Sequence, residues 1–453
     1  MLLKGETTPL AATKAVLARI ERYNPLLNAF ITVMAEEALA AAAVASAEIA
    51  AGRHRGPLHG VPIAVKDVFA TKNVRTTAAS KLFGDWVPTA DSAVVKRLHA
   101  AGAVIIGKTH LNELACGATG LNPHYGPARN PWNVTHISGG SSSGSAVAVA
   151  SEMCFAALGT DTGGSTRIPA SLCGVYAIKP TYGIVNLEGM VPLARSLDHA
   201  GIIARSMRDC SLVLDAIVEP NAVEASTSLE VTSDTWPCTV LYDRPLAGLR
   251  IGAVVTDFET DSQIATVVSD QIQTLRTLGA QVCTMSLEQT DEFWSAGNIV
   301  LLSEASTFHR TYLEQRRQDF SEAVRTRMEW GIKQTVEDYA HSKRFLQAAR
   351  RGCDRAWFES VDVLAMPSTM ISAMPLASAA DTDHTLELSY LTAPFNFTGQ
   401  PAVTIPCGLT SLGLPIGLQL VGRRFNEVTV MRVASILERE IGKLMPPPLI
   451  NEV

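Results

Sequence analysis

Hydrophobic and polar positions in the first part of the chain alternate between helical and strand-like patterns. Alanine-rich segments of helical period cover about residues 9–23 and 35–52, and the apolar run GVPIAVKDVF that follows has the length of a buried strand. The segment SAVVKRLHAAGAVIIGKT then predicts a helix followed by a strand, with Gly102 at the boundary. Helical SSGSAVAVASEM, strand-like FAALGTDT and helical SLVLDAIV continue the series. This alternation predicts an α/β fold with helices on both faces of a sheet.

The pattern changes near the middle of the chain. From Glu219 to Gly248 the period is lost and Pro, Ser, Thr and Asn accumulate, which predicts a long surface connection. Beyond it, LRIGAVV predicts a strand, residues 261–279 predict a helix, and charged helical segments continue to about Phe358. Three short apolar strands follow: VDVLAMP, PAVTIPC and IGLQLVG. We therefore expect both halves of the chain to contribute strands to one core.

Composition narrows the class of protein. Hydrophobic residues make up 47% of the 453 positions and charged residues 18%, which suits a large buried core. The net charge of -6 offers no basic surface for nucleic acid. The alanine-rich run from Ala38 to Ala47 is flanked by glutamates and is far shorter than the ~18 apolar residues of a membrane helix. We expect a cytoplasmic protein with no membrane contact.

The eight cysteines show neither the spacing of a metal site nor that of a disulfide framework. We expect them to be buried, reduced thiols, and we expect no metal ion.

One motif suggests a nucleotide-binding protein. The sequence GAVIIGKT matches the P-loop pattern of a glycine, four residues and Gly-Lys-Thr. A phosphate-binding loop needs a glycine-rich turn, whereas the four variable residues here, from Ala103 to Ile106, are typical of a strand. The sequence therefore argues against nucleotide binding.

A second motif suggests a Ser-His-Asp hydrolase. GSSSG, from Gly140 to Gly144, matches the nucleophile elbow G-x-S-x-G with Ser142 as the nucleophile. An elbow should follow a buried strand, but the preceding NPWNVTHI is a poor core strand. His199 is expected at a solvated helix start, and the other downstream histidines are more readily explained as surface or structural residues. We regard this triad as the less favoured alternative.

The segment LGTDTGGSTRIPAS offers a different nucleophile. Its glycines allow the main chain to curl, so that the amides from Thr162 to Ser165 form an oxyanion hole beside the Ser165 hydroxyl. The base would be Lys66 in VAVKD, because burial among apolar neighbours lowers the pKa of a lysine.

At these motifs the chain resembles the amidase signature family. The resemblance extends from about Glu6 to Glu440 and rests on GVPIAVKD, GKTHLNELA, YGPARNPWN, SGGSSSGSA, GTDTGGSTRIPAS, LTAPFNFTGQPAVTIPCG and GLPIGLQLVG. It implies a single domain over residues 1–453, with a central mixed β-sheet covered by helices on both faces. The implied parts are the N-terminal helices (1–60), the catalytic signature core (61–215), the surface connection (216–248), and the remaining strands and cleft helices (249–453).

The resemblance also implies the roles of individual residues. Lys66 would be the base, Ser141 a relay serine preceded by a cis peptide bond, and Ser165 the nucleophile that forms an acyl-enzyme. The oxyanion hole would comprise the amides of Thr162, Gly163, Gly164 and Ser165. No metal or organic cofactor is implied.

Other residues would have supporting roles. We expect Ser142 to orient its loop, and Asp161 and Arg167 to form a buried ion pair. The loop after NELA departs from the common family pattern and is expected to border the cleft with Ala115, Cys116, Gly117 and Leu121. Much of the cleft wall should come from residues 256–354.

These expectations define one main hypothesis and two alternatives. The main hypothesis is an amidohydrolase that cleaves the C–N bond of a small or medium amide. The first alternative is a carbamate, urethane or biuret-type hydrolase with the same three residues. The second is a glutaminase-type subunit of a transfer-RNA-dependent amidotransferase, which would pass ammonia to a partner enzyme. We expect a small-molecule amide, ester or carbamate as substrate, and a monomer or homodimer.

Overall fold

The protein is built on a large β-sheet, seen in a computed structural model that describes residues 5–219, 244–255, 259–287, 290–381 and 383–451. The strands are β1 (Phe30–Val33), β2 (Pro62–Lys66), β3 (Val104–Thr109), β4 (Arg129–Asn130), β5 (Asn133–Ile137), β6 (Ala156–Asp161), β7 (Tyr176–Lys179), β8 (His199–Ala204), β9 (Arg250–Val255), β10 (Gln281–Ser286), β11 (Val363–Pro367), β12 (Ala402–Leu409) and β13 (Pro415–Gly422).

Within the described residues, eleven of these strands form one mixed sheet. Their order is β1-β3-β2-β6-β8-β7-β12-β13-β11-β9-β10. The pairs β3/β2, β2/β6, β11/β9 and β9/β10 are parallel, whereas the other pairs are antiparallel. Strands of the two halves pair directly, since Ala402 of β12 lies opposite Lys179 of β7. This confirms the predicted α/β fold with a mixed central sheet, while the division into one domain with four parts stays a prediction.

Helices cover both faces of the sheet. They are α1 (Pro9–Leu27), α2 (Ala35–Ala50), α3 (Ala93–Ala100), α4 (Ser143–Ala150), α5 (Arg167–Cys173), α6 (Met207–Ile217), α7 (Ser262–Thr277), α8 (Thr290–Phe308), α9 (Arg310–Gln315), α10 (Glu322–Ile332), α11 (Val336–Phe358), α12 (Leu376–Asp381), α13 (Thr385–Ser389), α14 (Pro394–Phe397), α15 (Glu427–Ile441) and α16 (Pro448–Asn451).

The strand β2 shows why both faces are covered. Successive side chains of a strand point to opposite faces. Ile63 and Val65 accordingly join the apolar cluster that contains residues of α3, α6, α7 and α15, whereas Ala64 joins the cluster formed with α1, α2, α4 and α5. Both faces of β2 are therefore buried, which explains its continuous apolar sequence.

Helix α4 is buried along its whole length because its residues are small. Ser143, Gly144, Ser145 and the following Ala and Val residues are all buried. A Cβ atom at Gly144 would lie 2.2 Å from the main-chain oxygen of Ala29 and 2.4 Å from the main-chain nitrogen of His110. Only glycine allows this close approach, which seats the N-terminus of α4 against the edge of the sheet.

The structure also tests the two misleading motifs. Three of the four variable residues of GAVIIGKT, from Val104 to Ile106, lie in the buried strand β3, and Lys108 of that motif forms an ion pair with Asp67 at 3.1 Å. This geometry supports the argument against nucleotide binding. The segment NPWNVTHI contributes β5, which pairs with β4 in a separate two-stranded sheet, and so does not precede an elbow as a strand of the central sheet.

Two expectations need adjustment. Cys283 is exposed on β10 at the edge of the sheet, so the prediction that all cysteines are buried is wrong; Cys238 lies outside the described residues. The predicted surface connection over 216–248 begins too early, because α6 extends to Ile217, and most of it lies outside the described residues. Among the described helices, none combines the length and apolar character needed to cross a bilayer.

The ion pair between Lys108 of β3 and Asp67, which directly follows β2, can be tested for its contribution to the stability of the fold. Both side chains are fully buried, and Lys108 also donates to the main-chain oxygen of Phe69 at 2.8 Å and to Thr76 Oγ1 at 2.7 Å. We expect Lys108→Met to reduce the free energy of unfolding by about 3–5 kcal/mol, because it leaves the Asp67 carboxylate buried without its charge partner. Urea-induced unfolding measures the effect. The control Lys96→Met on the exposed side of α3 should unfold like the wild type, and equal midpoints for both variants would contradict the prediction.

Candidate active site

The candidate site lies at the carboxyl ends of two adjacent parallel strands. Lys66 is the last residue of β2, and Thr160 and Asp161 end β6, which pairs with β2. Helix α4 begins above this edge, directly after Ser142. The carboxyl edge of parallel strands is where ligands bind in many α/β proteins. The arrangement brings Ser141 to Lys66 and joins the loop of Ser165 to the loop of Ser141, which places the three residues that the resemblance implied in one region.

Three hydroxyl oxygens lie within hydrogen-bond distance of the Lys66 Nζ atom. They belong to Ser141 at 2.8 Å, Ser142 at 3.0 Å and Thr160 at 2.7 Å. Lys66 is fully buried, and this burial lowers its pKa to about 7, against the opposing effect of the Asp161 and Asp198 carboxylates. A large fraction of the amine is therefore neutral near pH 7, so Lys66 can accept a proton.

Ser141 and Ser142 are held in a tightly fixed loop. The peptide bond between Gly140 and Ser141 is cis, as the resemblance implied. The main-chain oxygen of Ser141 accepts from the amide of Asn112 at 3.3 Å, and the amide of Ser142 donates to the main-chain oxygen of Ser165 at 3.0 Å. The last bond joins this loop to the one that carries the candidate nucleophile.

Ser142 is unsuited to the nucleophile role. Its side chain is fully buried, donates to the main-chain oxygen of Thr160 at 3.0 Å and accepts from the Thr160 amide at 3.1 Å. Ser165, in contrast, is 9% exposed and borders a cavity. The geometry therefore agrees with the expectation that Ser142 orients its loop, and it disfavours the elbow hypothesis.

The loop from Thr162 to Ser165 is shaped by the Asp161 carboxylate. Asp161 accepts from the amide of Gly164 at 2.8 Å and from the amide of Thr166 at 3.2 Å. The Gly164 amide thus already has an acceptor in Asp161, so we remove it from the set of oxyanion-hole donors expected from the sequence. The amides of Thr162, Gly163 and Ser165 donate to no acceptor within the described residues, and they remain the candidate donors.

Asp161 and Arg167 form the buried ion pair that the sequence predicted. Arg167 donates to Asp161 through Nε at 3.0 Å and through Nη2 at 2.8 Å, and both side chains are fully buried. Burial alone would raise the pKa of Asp161, but the charge and hydrogen bonds of Arg167 hold it well below its usual range. Asp161 is therefore a carboxylate throughout the physiological pH range.

The same arginine ties the nucleophile loop to the second half of the chain. Arg167 also donates to the main-chain oxygen of Thr392 at 2.9 Å, to Gln419 Oε1 at 2.6 Å and to Asn396 Oδ1 at 2.6 Å. Asn396 in turn donates to the Asp161 carboxylate at 2.8 Å. These buried hydrogen bonds connect the nucleophile loop, in the first half of the chain, to residues of the second half.

Asp198 and His199 are buried beside the start of the loop from Thr162 to Ser165. Thr162 Oγ1 donates to Asp198 at 2.6 Å, and burial raises the pKa of Asp198 to about 6. The prediction that His199 lies at a solvated helix start is wrong: it is the first residue of β8, is 3% exposed, and its Nδ1 lies 2.7 Å from the main-chain oxygen of Leu197. The antiparallel pairing of His199 with Asp161 buries it.

A cavity of about 370 Å³ opens beside Ser165. Three of the four predicted cleft residues, Ala115, Cys116 and Gly117, line it, whereas Leu121 lies in an adjoining cavity of about 770 Å³. The opposite wall comes from the second half of the chain. It includes Trp294, Asn298, Leu301, Leu302, Arg327, Asp383, Thr385, Ala393 and Phe397. The expectation for residues 256–354 is therefore met in part, because several wall residues follow that range.

An ion pair lines this mainly apolar cavity. Arg327 donates through Nη2 to Asp383 Oδ2 at 2.8 Å and to Thr385 Oγ1 at 2.9 Å. Its Nη1 lies 3.4 Å from the main-chain oxygen of Cys116. The Asp383 side chain is 64% exposed and the Arg327 side chain 25%, so both are accessible to a ligand.

Sequence reasoning missed several of these residues. Thr160 stands inside the GTDT motif, so its proximity to the candidate nucleophile was a usable signal. Arg327 and Asp383 belong to no motif, and only the folded chain brings them to the cavity. In the part of the chain that the structure describes, no histidine lines this cavity, and no cluster of His, Cys, Asp and Glu could hold a metal ion.

The fold and this site define an α/β protein in which a buried lysine and two serine-bearing loops meet at the carboxyl ends of β2 and β6. A family model named Amidase matches residues 11–431. The chain therefore belongs to the amidase signature family, as the sequence motifs predicted.

Individual relatives cover the chain almost completely. A glutamyl-tRNA(Gln) amidotransferase subunit from Geobacter metallireducens is 38% identical over 466 residues, spanning 97% of this chain and 95% of the relative. A solved vestigial protein complex that reveals the origins of an s-triazine catabolic enzyme has a TM-score of 0.91 at 33% identity, covering 98% of both chains. The native peptide amidase of Stenotrophomonas maltophilia has a TM-score of 0.87 at 29% identity, covering 99% and 96% of the two chains.

The depressed pKa of Asp161 predicts an acid-dependent contribution to stability. We expect Asp161→Asn to lower the free energy of unfolding by about 3–5 kcal/mol at pH 7, because Arg167 then lacks its charge partner. Asp161 has a lower pKa in the folded than in the unfolded chain, so its contribution is present above about pH 4 and declines as the pH falls below that value. The difference between wild type and variant should therefore shrink in acid.

Chemical denaturation at constant ionic strength, from about pH 7 to about pH 3, measures this difference. Asp85→Asn, at an exposed position, is the matched control and should leave the difference near zero at every pH. A gap between wild type and Asp161→Asn that does not change with pH would show that the carboxylate charge is not the stabilising feature.

Proposed function

We propose that this protein hydrolyses the side-chain carboxamide of a free amino acid such as glutamine, through an acyl-enzyme on Ser165, and that it supplies the released ammonia to a partner. The observation that carries the proposal is one cavity bordered by Ser165 on one wall and by the ion pair of Arg327 and Asp383 on another. The proposal follows the amidotransferase alternative rather than the broader main hypothesis.

The ion pair fits the far end of such a substrate. A free α-amino acid carries a carboxylate and an ammonium group on one carbon atom. Arginine binds carboxylates through its planar fork, and a carboxylate such as Asp383 accepts hydrogen bonds from an ammonium group. The apolar residues Leu301, Leu302 and Phe397 would surround the methylene groups between the two ends. A neutral aliphatic amide carries neither the carboxylate nor the ammonium group that these two side chains would bind.

The residues at the carboxyl ends of β2 and β6 support an acyl-transfer mechanism. Neutral Lys66 would take the proton of Ser141, and Ser141 would take that of Ser165 as the Ser165 oxygen attacks the amide carbon. The amides of Thr162, Gly163 and Ser165 would stabilise the developing oxyanion. Ser141 would then donate a proton to the leaving nitrogen, and water would release the acyl group through the same three residues in reverse.

The relay needs a hydrogen bond between the hydroxyl groups of Ser141 and Ser165, and this contact belongs to the proposal. Within the described residues no hydrogen bond joins the hydroxyl groups of Ser141 and Ser165. The two loops are nevertheless held together by the bond from the Ser142 amide to the main-chain oxygen of Ser165. Hydrogen bonds in catalytic sites often tighten only when substrate is bound.

The relatives support the choice of partner. The Geobacter relative, which is 38% identical to this chain, is named as a subunit of a glutamyl-tRNA(Gln) amidotransferase. An amidotransferase needs a nitrogen donor, and a subunit works within an assembly. By analogy we propose a protein partner that uses ammonia. This replaces the expected monomer or homodimer as the working form.

The first test compares substrates. We expect ammonia release from L-glutamine by the wild type and none by Ser165→Ala. Arg327→Met should raise the KM for L-glutamine by at least about tenfold, because it removes a charge-assisted contact, and should leave the KM for neutral butyramide unchanged. Arg325→Met, on the same helix but outside the cavity lining, is the matched control and should behave like the wild type.

Other outcomes decide between the hypotheses. Hydrolysis of butyramide with no preference for glutamine would contradict the amino-acid proposal and support the broader amidohydrolase. Hydrolysis of ethyl carbamate, but of no amide, would support the carbamate alternative.

The second test concerns pH. The mechanism requires neutral Lys66, and burial lowers the pKa of Lys66 to about 7. Below that pH the amine is protonated and cannot act as the base, so kcat/KM should rise through about pH 7 to an alkaline plateau. Lys66→Arg should be inactive across the range, because a guanidinium group does not deprotonate. A flat profile between about pH 5.5 and about pH 9 would contradict the role of Lys66.

A further inference from the structure

The three hydroxyl groups around Lys66 differ in what they can donate. Ser142 has one hydroxyl hydrogen, and it is committed to the main-chain oxygen of Thr160 at 3.0 Å. Ser142 can therefore only accept a hydrogen bond from Lys66. For the hydroxyl groups of Ser141 and Thr160, the Lys66 amine is the only hydrogen-bond partner among the described residues, at 2.8 Å and 2.7 Å.

The two protonation states of Lys66 use this set of oxygens differently. A protonated amine has three N–H bonds and no lone pair, so it can donate to all three oxygens at once. A neutral amine has two N–H bonds and one lone pair, so one of the three contacts must reverse. Since Ser142 cannot donate to the lone pair, the donor is either Ser141 or Thr160.

These two arrangements have different consequences for the relay. When Ser141 donates, its hydrogen is already directed at the base, and its oxygen is left to accept the proton of Ser165. When Thr160 donates, Ser141 instead accepts from Lys66, and its proton is not directed at the base. We infer that Thr160 is a positioning residue that competes with Ser141 for the single lone pair of neutral Lys66. This inference rests on the proposed roles of Ser141 and Ser165.

Thr160 also affects the protonated state. Its oxygen is one of three acceptors for the ammonium group, and hydrogen bonds from a charged donor are the stronger ones. The charged groups that act on Lys66 are Asp161, at the end of β6, and Asp198, in the segment before β8. Removing the Thr160 hydroxyl leaves both carboxylates in place and destabilises the ammonium form more than the neutral form.

The test replaces Thr160 by valine, which has nearly the same shape and no hydroxyl group. The readout is the rate at which phenylmethanesulfonyl fluoride labels Ser165 between about pH 5.5 and about pH 9, with the labelled peptide mapped. We expect the midpoint of the Thr160→Val profile about one pH unit lower than that of the wild type, with labelling about tenfold faster on the acid side. Thr160→Ser retains the hydroxyl and should restore the wild-type midpoint.

Two further variants keep the test decisive. Thr404→Val makes the same change at a buried threonine of β12 whose hydroxyl lies 3.0 Å from that of Ser368, and it should leave the midpoint unchanged. Thr160→Ala removes the hydroxyl with a different change in volume and should show the same lower midpoint if Thr160→Val folds poorly.

The outcomes separate this inference from the proposed function. Labelling of Ser165 with equal midpoints for wild type and both hydroxyl-free variants would overturn the role of Thr160 and leave the nucleophile intact. A midpoint for Thr160→Ser as low as that for Thr160→Val would overturn it as well. Labelling of another serine in the wild type would overturn the proposed nucleophile, and with it the inference.

Discussion

The fully buried amine of Lys66 is the constraint on which the rest of the site depends. A lysine removed from water must have its N–H groups satisfied, and it must lose its proton readily to act as a base. Both needs are met where β2 and β6 end side by side and α4 begins above them. The small residues of α4 matter for the same reason, because Gly144 allows that helix to approach the edge of the sheet closely enough to bring Ser141 and Ser142 to the amine.

A second buried interaction fixes the loop that carries Ser165. Asp161 is held as a carboxylate by Arg167, and it accepts two main-chain amides of the loop that follows it. Arg167 extends the same network to Asn396 and Gln419 in the second half of the chain. The shape of the nucleophile loop therefore depends on contacts between distant parts of the sequence. A buried network of this kind is rigid only when all its members are present.

The candidate catalytic residues and the proposed substrate contacts come from different parts of the molecule. The candidate base ends β2, and the candidate relay serine and nucleophile lie on first-half loops at the carboxyl edge of β2 and β6. The charged residues of the cavity, Arg327 and Asp383, follow in the second half, on α10 and just before α13. Changes in the second half can thus alter the substrate without disturbing the buried amine. The signature motifs cover the first set of residues and not Arg327 or Asp383, so they predicted the family and left several substrate classes open.

The sequence by itself determined the α/β class and most elements of the first half, and it nominated Lys66 and Ser165 as candidates, whereas the family resemblance nominated Ser141. These follow from local hydrophobic period and from contiguous motifs. Only the tertiary structure decided that the Gly164 amide donates to Asp161 and that His199 is buried, because pairing and burial depend on strands distant in sequence. It also brought Arg327 and Asp383 to the cavity of Ser165, and it gave Thr160 its contact with Lys66. A hydrogen bond between distant residues produces no periodic pattern of hydrophobic residues in the sequence, whereas a strand or a helix does.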